Sequence, residues 1–193
     1  MKKLFLLSIF VSSLNALSQP WTPKQLQAAN TSATVTSLSI LEKEVILYIN
    51  LARMYPKEFI QNEIKGYKSE SNRDKWKDSP GKATLVVHLN KMESMNALYF
   101  NDLAYENAKC LAAEQAKSGD IGHERKKCND ARFAECCSYG ASSGKDIVMQ
   151  WLIDANTPSL GHRLNCLNKK FKIIGVSCNT HKVYYDCCVA DFK

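Results

Sequence analysis

The chain has 193 residues, 45% hydrophobic and 23% charged, enough for one ordinary core, and that balance excludes a disordered tail, a coiled coil and a multi-span membrane protein. Lys and Arg exceed Asp and Glu by 26 to 19, a mild excess without a long basic block, so charge gives no argument for nucleic-acid binding. Eight cysteines are the most unusual feature of the composition.

Met1-Lys2-Lys3 is a basic start, Leu4 to Val11 is almost wholly apolar, and Ala16 and Ser18 are the small residues of a cleavage site. Residues 1–18 are therefore expected to be a secretory signal peptide, too short to persist as a membrane anchor. The expected location is extracellular or periplasmic. Residues 19–38 are polar and rich in Ser and Thr, and are expected to form a linker ahead of one folded domain spanning 39–193.

Ser39-Ile40-Leu41-Glu42 reads as a capping box, and Leu41, Val45, Tyr48, Ala52 and Tyr55 then recur at helical spacing until Pro56 breaks the pattern. A charged insert at about 65–95, with Pro80-Gly81 inside it, is expected as a surface excursion. Asn101-Asp102 opens a second helix, whose apolar period runs from Leu103 to Gly119. Ser143 opens a third, Ile147 to Asp154, and Thr157-Pro158 suits the start of a short fourth that carries His162. The tail changes period. Lys172 to Cys178 and Val183 to Val189 read as a hairpin turning at Thr180-His181, and Phe133 to Ser138 as a third strand. Many helices with a few consecutive strands define an α+β class, with a small antiparallel sheet between helical layers.

In an oxidising compartment Cys110, Cys128, Cys136, Cys137, Cys166, Cys178, Cys187 and Cys188 are expected to form disulfides, with the pairing left open. If extended, the neighbours Cys136-Cys137 and Cys187-Cys188 send their side chains to opposite faces and need different partners. A turn at Thr180-His181 sets Cys178 against Val183, which leaves Cys187 out of reach of Cys178.

Four residues of the C-terminal half could share a site: His123, Glu135, Asp154 and His162. Imidazoles with carboxylates can shuttle protons near neutral pH, or hold a divalent cation such as zinc. His123-Glu124 starts a metalloprotease-like H-E-x-x-H, but Lys127 stands where the second histidine belongs. There is no phosphate-cradling glycine loop, and Ser159 is the nearest hydroxyl in sequence to His162. His88 and His181 are expected to be solvated.

The run Glu42 to Arg53, ending Asn50-Leu51-Ala52-Arg53, is similar to the opening helix of CAP domains. These occur in cysteine-rich secretory proteins, venom antigens and plant pathogenesis-related proteins. The likeness continues through Leu103 to Ala116 and the His123 loop. It then runs from Trp151 through Gly161-His162-Arg163-Leu164-Asn165 to Phe171-Lys172-Ile173-Ile174-Gly175-Val176, where it resembles the bacterial form. Coverage is about Ile40 to Phe192. The resemblance implies a three-layer α-β-α sandwich, stapled by disulfides, with a cleft lined by two histidines and two acids. By position these are His123, His162, Glu135 and Asp154. Ala134-Glu135-Cys136 stands where the family has Gly-Glu-Asn, and Asp154 is one methylene shorter than the Glu of animal members. The resemblance also implies zinc or another divalent cation on His123 and His162, or a lipid, glycan or peptide in the cleft, and supplies no catalytic activity. Three readings follow, in order of preference. The first is a binding module for an extracellular ligand, the second a structural tetrad, and the third a metal-dependent hydrolase with Glu135 as general base.

Overall fold

The computed structural model describes residues 21–67, 80–129, 132–155 and 157–193, so the signal peptide expected at 1–18 lies outside the described residues. Helix α1 (Pro23–Ala29) is followed by α2 (Ile40–Met54), α3 (Pro56–Phe59) with a π-helical turn at Ile60–Ile64, and α4 (Pro80–Lys91). Then come β1 (Tyr99–Phe100), α5 (Asp102–Ser118), β2 (Ala134–Tyr139), α6 (Gly144–Ile153), α7 (Gly161–Cys166), β3 (Ile173–His181) and β4 (Tyr185–Phe192).

The strand order is β1-β3-β4-β2. β2, β3 and β4 are antiparallel neighbours, while β1 adds a two-residue parallel edge. Alternation along the strands splits the interior in two. Ile174, Val176, Ala190 and Phe192 face a large core with Ile46 and Ile49 of α2 and Val148 and Trp151 of α6. Cys137 and Val189 face the other way, onto Ala108, Leu111 and Ala112 of α5. The result is an α-β-α sandwich. Helix α5 lies so close to β3 that a Cβ on Gly175 would stand 2.0 Å from the Tyr105 nitrogen, a position only glycine can fill.

Start signals place the helices where the sequence puts them. Ser39 and Glu42 close a full capping box on α2, Asn101 caps α5 and Ser143 caps α6, while Gly119 ends α5 in the left-handed region. Two expectations are corrected. Residues 21–38 are not a linker: α1 has its own capping box, and Trp21 and Ala29 are buried against the main core. Part of the charged insert is also internal, since Leu85 and Leu89 of α4 are fully buried; residues 68–79 of that insert lie outside the described residues.

The hairpin turns at Lys182–Tyr184, with His181 opposite Tyr185, rather than at Thr180-His181. This slide sets Cys178 directly across from Cys188, and the two are bonded. The second disulfide is Cys110–Cys128. Cys136, Cys137, Cys166 and Cys187 carry free, buried thiols, so the expectation that all eight are cross-linked is met by four. Cys136 and Cys137 do face opposite layers. His181 is buried, not solvated. Its Nδ1 accepts the Val183 and Tyr184 N–H groups, and its Nε2–H donates to the Asp120 carbonyl at 3.0 Å. His88, on α4, is partly buried, which lowers its pKa, with Arg163 nearby adding to the effect.

The Asn50-Leu51-Ala52-Arg53 run does structural work. Asn50 bonds both backbone groups of Leu98 and the Ala29 carbonyl. Buried Arg53 donates to the carbonyls of Asn96, Cys166, Asn168 and Phe171, tying α2 to the end of α7. These carbonyls would otherwise be orphaned in the interior.

Candidate functional site

His123 lies in the loop between α5 and β2, and α5 holds that loop along one side. The Gln115 amide donates to the Gly122 carbonyl at 2.6 Å, the Gly122 N–H donates to Tyr139 Oη at 2.8 Å, and Glu114 accepts the Lys126 N–H at 2.9 Å. Gly122 sits at φ 95°, where a side chain would be strained. The Cys110–Cys128 bond fixes the far end of the loop to α5.

His162 stands on the opposite wall, in the first turn of α7. The wall is built around Asp154, which ends α6 in the left-handed region. Its carboxylate accepts the His162 N–H at 3.0 Å and the Arg163 N–H at 3.3 Å, so it caps α7 although it lies outside that helix. It also accepts from His162 Nδ1 at 2.8 Å. Helix α7 begins at Gly161, not at Thr157-Pro158, because this capping acid comes from α6 and Leu160 occupies the N-cap.

The structure thus brings together all four residues selected from sequence, as two matched pairs. His123 Nδ1–H donates to Glu135 Oε1 at 2.8 Å, as His162 does to Asp154, and the two ring centroids are 6.0 Å apart. Each carboxylate fixes its ring's tautomer and leaves Nε2 free. The Glu135 hydrogen bond is the main cause of a raised His123 pKa, opposed by partial burial. Burial alone would raise Asp154, but hydrogen bonds from His162 and Thr157 outweigh it and hold the acid below its usual range.

Between the walls is a cavity of about 390 Å³, lined by Ile121, His123, Cys137, Trp151, Asp154 and His162 among others. A second hollow of about 490 Å³ opens on the other side of His123, against Asn107, Arg125, Phe133 and Glu135.

Four neighbours escaped the sequence reading as members of the site. Arg125 Nη2 donates to Glu135 Oε2 and lies 3.7 Å from Asp191 Oδ2, which Asn107 also holds. Asp191 is directly across the sheet from Glu135. Burial pushes its pKa up to about 7, and the neighbouring Glu135 charge adds to the rise against the lowering effects of Asn107 and Arg125. The fourth omission is Cys137, whose thiol is 3.7 Å from His123 Nδ1 and 3.8 Å from Glu135 Oε1. An available signal was that Glu135 and Cys137 are two apart on an expected strand, hence on one face.

An α-β-α sandwich with paired imidazole–carboxylate walls is the frame of a known family: the model of the CAP family, the cysteine-rich secretory protein family, matches residues 48–192, and the chain belongs to it. No individual curated protein matches the chain. The disulfides and the family fit an extracellular protein. No helix among the described residues is long and apolar enough to cross a membrane.

Proposed function

We propose that this protein is a secreted binding module whose cleft between His123 and His162 takes an extracellular ligand of the lipid, glycan or peptide class. One observation carries the reading: two imidazoles on facing walls, each oriented by its own carboxylate, present free Nε2 atoms to a cavity of ligand size. Trp151 lines the same cavity and adds an aromatic surface to it.

The donor set also fits a divalent cation such as zinc. Carboxylate-held Nδ1–H groups leave neutral Nε2 ligands, the arrangement seen around zinc-bound histidines. His123 and His162 would hold the ion, Glu135 and Asp154 would keep the rings aimed, and the ion would supply a Lewis-acidic anchor for a ligand carboxylate or phosphate.

The test follows the two imidazole C–H resonances by NMR. Zinc, phosphatidylcholine micelles, chito-oligosaccharides and short peptides are added in turn to the oxidised mature protein. At least one should move both rings together and saturably, and the response should vanish in the His123→Ala/His162→Ala double variant. If no probe moves them, and the double variant only lowers stability by about 1–3 kcal/mol, the tetrad is a structural network and the binding reading fails.

A further inference from the structure

Behind the imidazole pair, the hydrogen bond that orients His123 has an unused thiol beside it, that of Cys137. Glu135 and Cys137 project from one face of β2, and the loop folds the opposite edge of the His123 ring onto them. His123 Nδ1, Glu135 Oε1 and Cys137 Sγ all lie within 4.8 Å of one another. We propose that these three atoms form a seat for a thiophilic divalent cation of the zinc class, with the fourth position open to the cleft. The proposal deepens the cleft reading and rests on it for access of the ion, but assigns the ion to a different edge of His123 and to a residue outside the tetrad.

The distances decide in its favour. Zinc bonds of about 2.0 Å to nitrogen and oxygen and about 2.3 Å to sulfur set tetrahedral edges of about 3.5 Å to sulfur and about 3.3 Å between nitrogen and oxygen. The two edges to sulfur measure 3.7 and 3.8 Å, already close. The nitrogen–oxygen edge is 2.8 Å because a proton bridges it, and it must open by about half an ångström when the cation replaces that proton. Arg125 keeps hold of the other Glu135 oxygen, so the acid remains anchored as Oε1 turns to the metal.

The protons balance. The thiol proton leaves to solvent as the S–metal bond forms, and the Nδ1 proton moves to Nε2 through solvent, or leaves as well if His123 starts out charged. Burial, with help from Glu135, pushes the Cys137 thiol well above its usual range, so without metal it is a protonated thiol and a poor nucleophile. A coordinated thiol is deprotonated outright. The Gly122 carbonyl at 3.3 Å accepts only a weak hydrogen bond from the thiol and yields readily.

Cobalt(II) reports directly on thiolate ligation through a near-ultraviolet sulfur-to-cobalt charge-transfer band. The full-length mature protein, disulfides intact, should bind one cobalt with that band and lose the band on adding zinc. His162→Ala should keep it. Cys137→Ala should abolish it and weaken zinc about tenfold or more, and Glu135→Gln should weaken it less. Should Cys137→Ala not fold, Cys137→Ser gives the same readout, and a band that survives it would come from Cys136, Cys166 or Cys187 and overturn the seat. Cobalt bound without the band, and lost in His162→Ala, would place the ion on the imidazole pair and overturn this seat while leaving the cleft reading intact. No cobalt bound at all overturns the seat, and the imidazole NMR test then judges the cleft separately.

Discussion

Asp191 is an acid held where an acid is costly. It is fully buried, one carboxylate oxygen has no hydrogen-bond partner among the described residues, and Glu135 faces it across two strands. Its folded pKa of about 7 lies above the unfolded value of 3.8, so the native state binds more protons between those limits. Stability must therefore fall as pH rises from about 4 to about 7. His123 acts in the same sense, because its raised pKa gives a contribution present at low pH and lost as pH climbs through the folded value. Asp154 acts oppositely, adding stability above the unfolded carboxylate range and losing it on acidification. Asp191→Asn should flatten the decline between pH 4 and 7 in urea unfolding curves collected across that range. An unchanged slope would assign the decline elsewhere.

Elements were legible where local chemistry names both ends. α5 and α6 carry an apolar period bracketed by Asn101 and Gly119, and by Ser143 and Asp154, and both stand where the pattern puts them. Others depend on partners far along the chain. α1 has no apolar period and is fixed by Trp21, whose indole N–H donates to Glu63, and by packing on α2. β1 is two residues long and exists only because β3 runs beside it. The hairpin register rests on a buried His181 that accepts from the turn, which its polar flanks concealed.

Arg163 connects such elements to the site. Fully buried, it donates to the Leu152 and Ile153 carbonyls at the end of α6, to the Gly81 carbonyl, and to Thr84 at the start of α4. Arg163→Met leaves several of these oxygens without donors. It should cost about 3 kcal/mol or more in chemical denaturation and loosen the Asp154 turn that aims His162. Stability within 1 kcal/mol of wild type would mean that water replaces the guanidinium there.

At the scale of the whole molecule, the four tetrad residues were identifiable because the order of segments follows a familiar domain, not because any spacing joins positions 123 and 162. Arg125, Asn107 and Asp191 were not identifiable, since only the folded sheet sets β4 beside β2 and α5 above them. Cys137 was masked by its own residue type: a cysteine in an exported chain reads first as half of a disulfide. The bond that fixes the His123 loop to α5 is Cys110–Cys128, whose ends are 18 residues apart. Replacing both with serine should cost about 3 kcal/mol through the freed loop. Amide exchange should accelerate at residues 119–129 well before it does in β3 and β4. Uniform acceleration throughout would show that the loop and sheet unfold as one unit.

The two jaws of the cleft are therefore of different kinds. The His162 jaw is a helix junction rooted in the interior by Arg163, and almost any change there disturbs packing. The His123 jaw is a surface strap clipped to one side of α5, and its outer segment can be lengthened or recoded without touching the core. Such a vice, with one fixed and one replaceable jaw, allows related chains to keep a constant anchoring chemistry while altering what they grip.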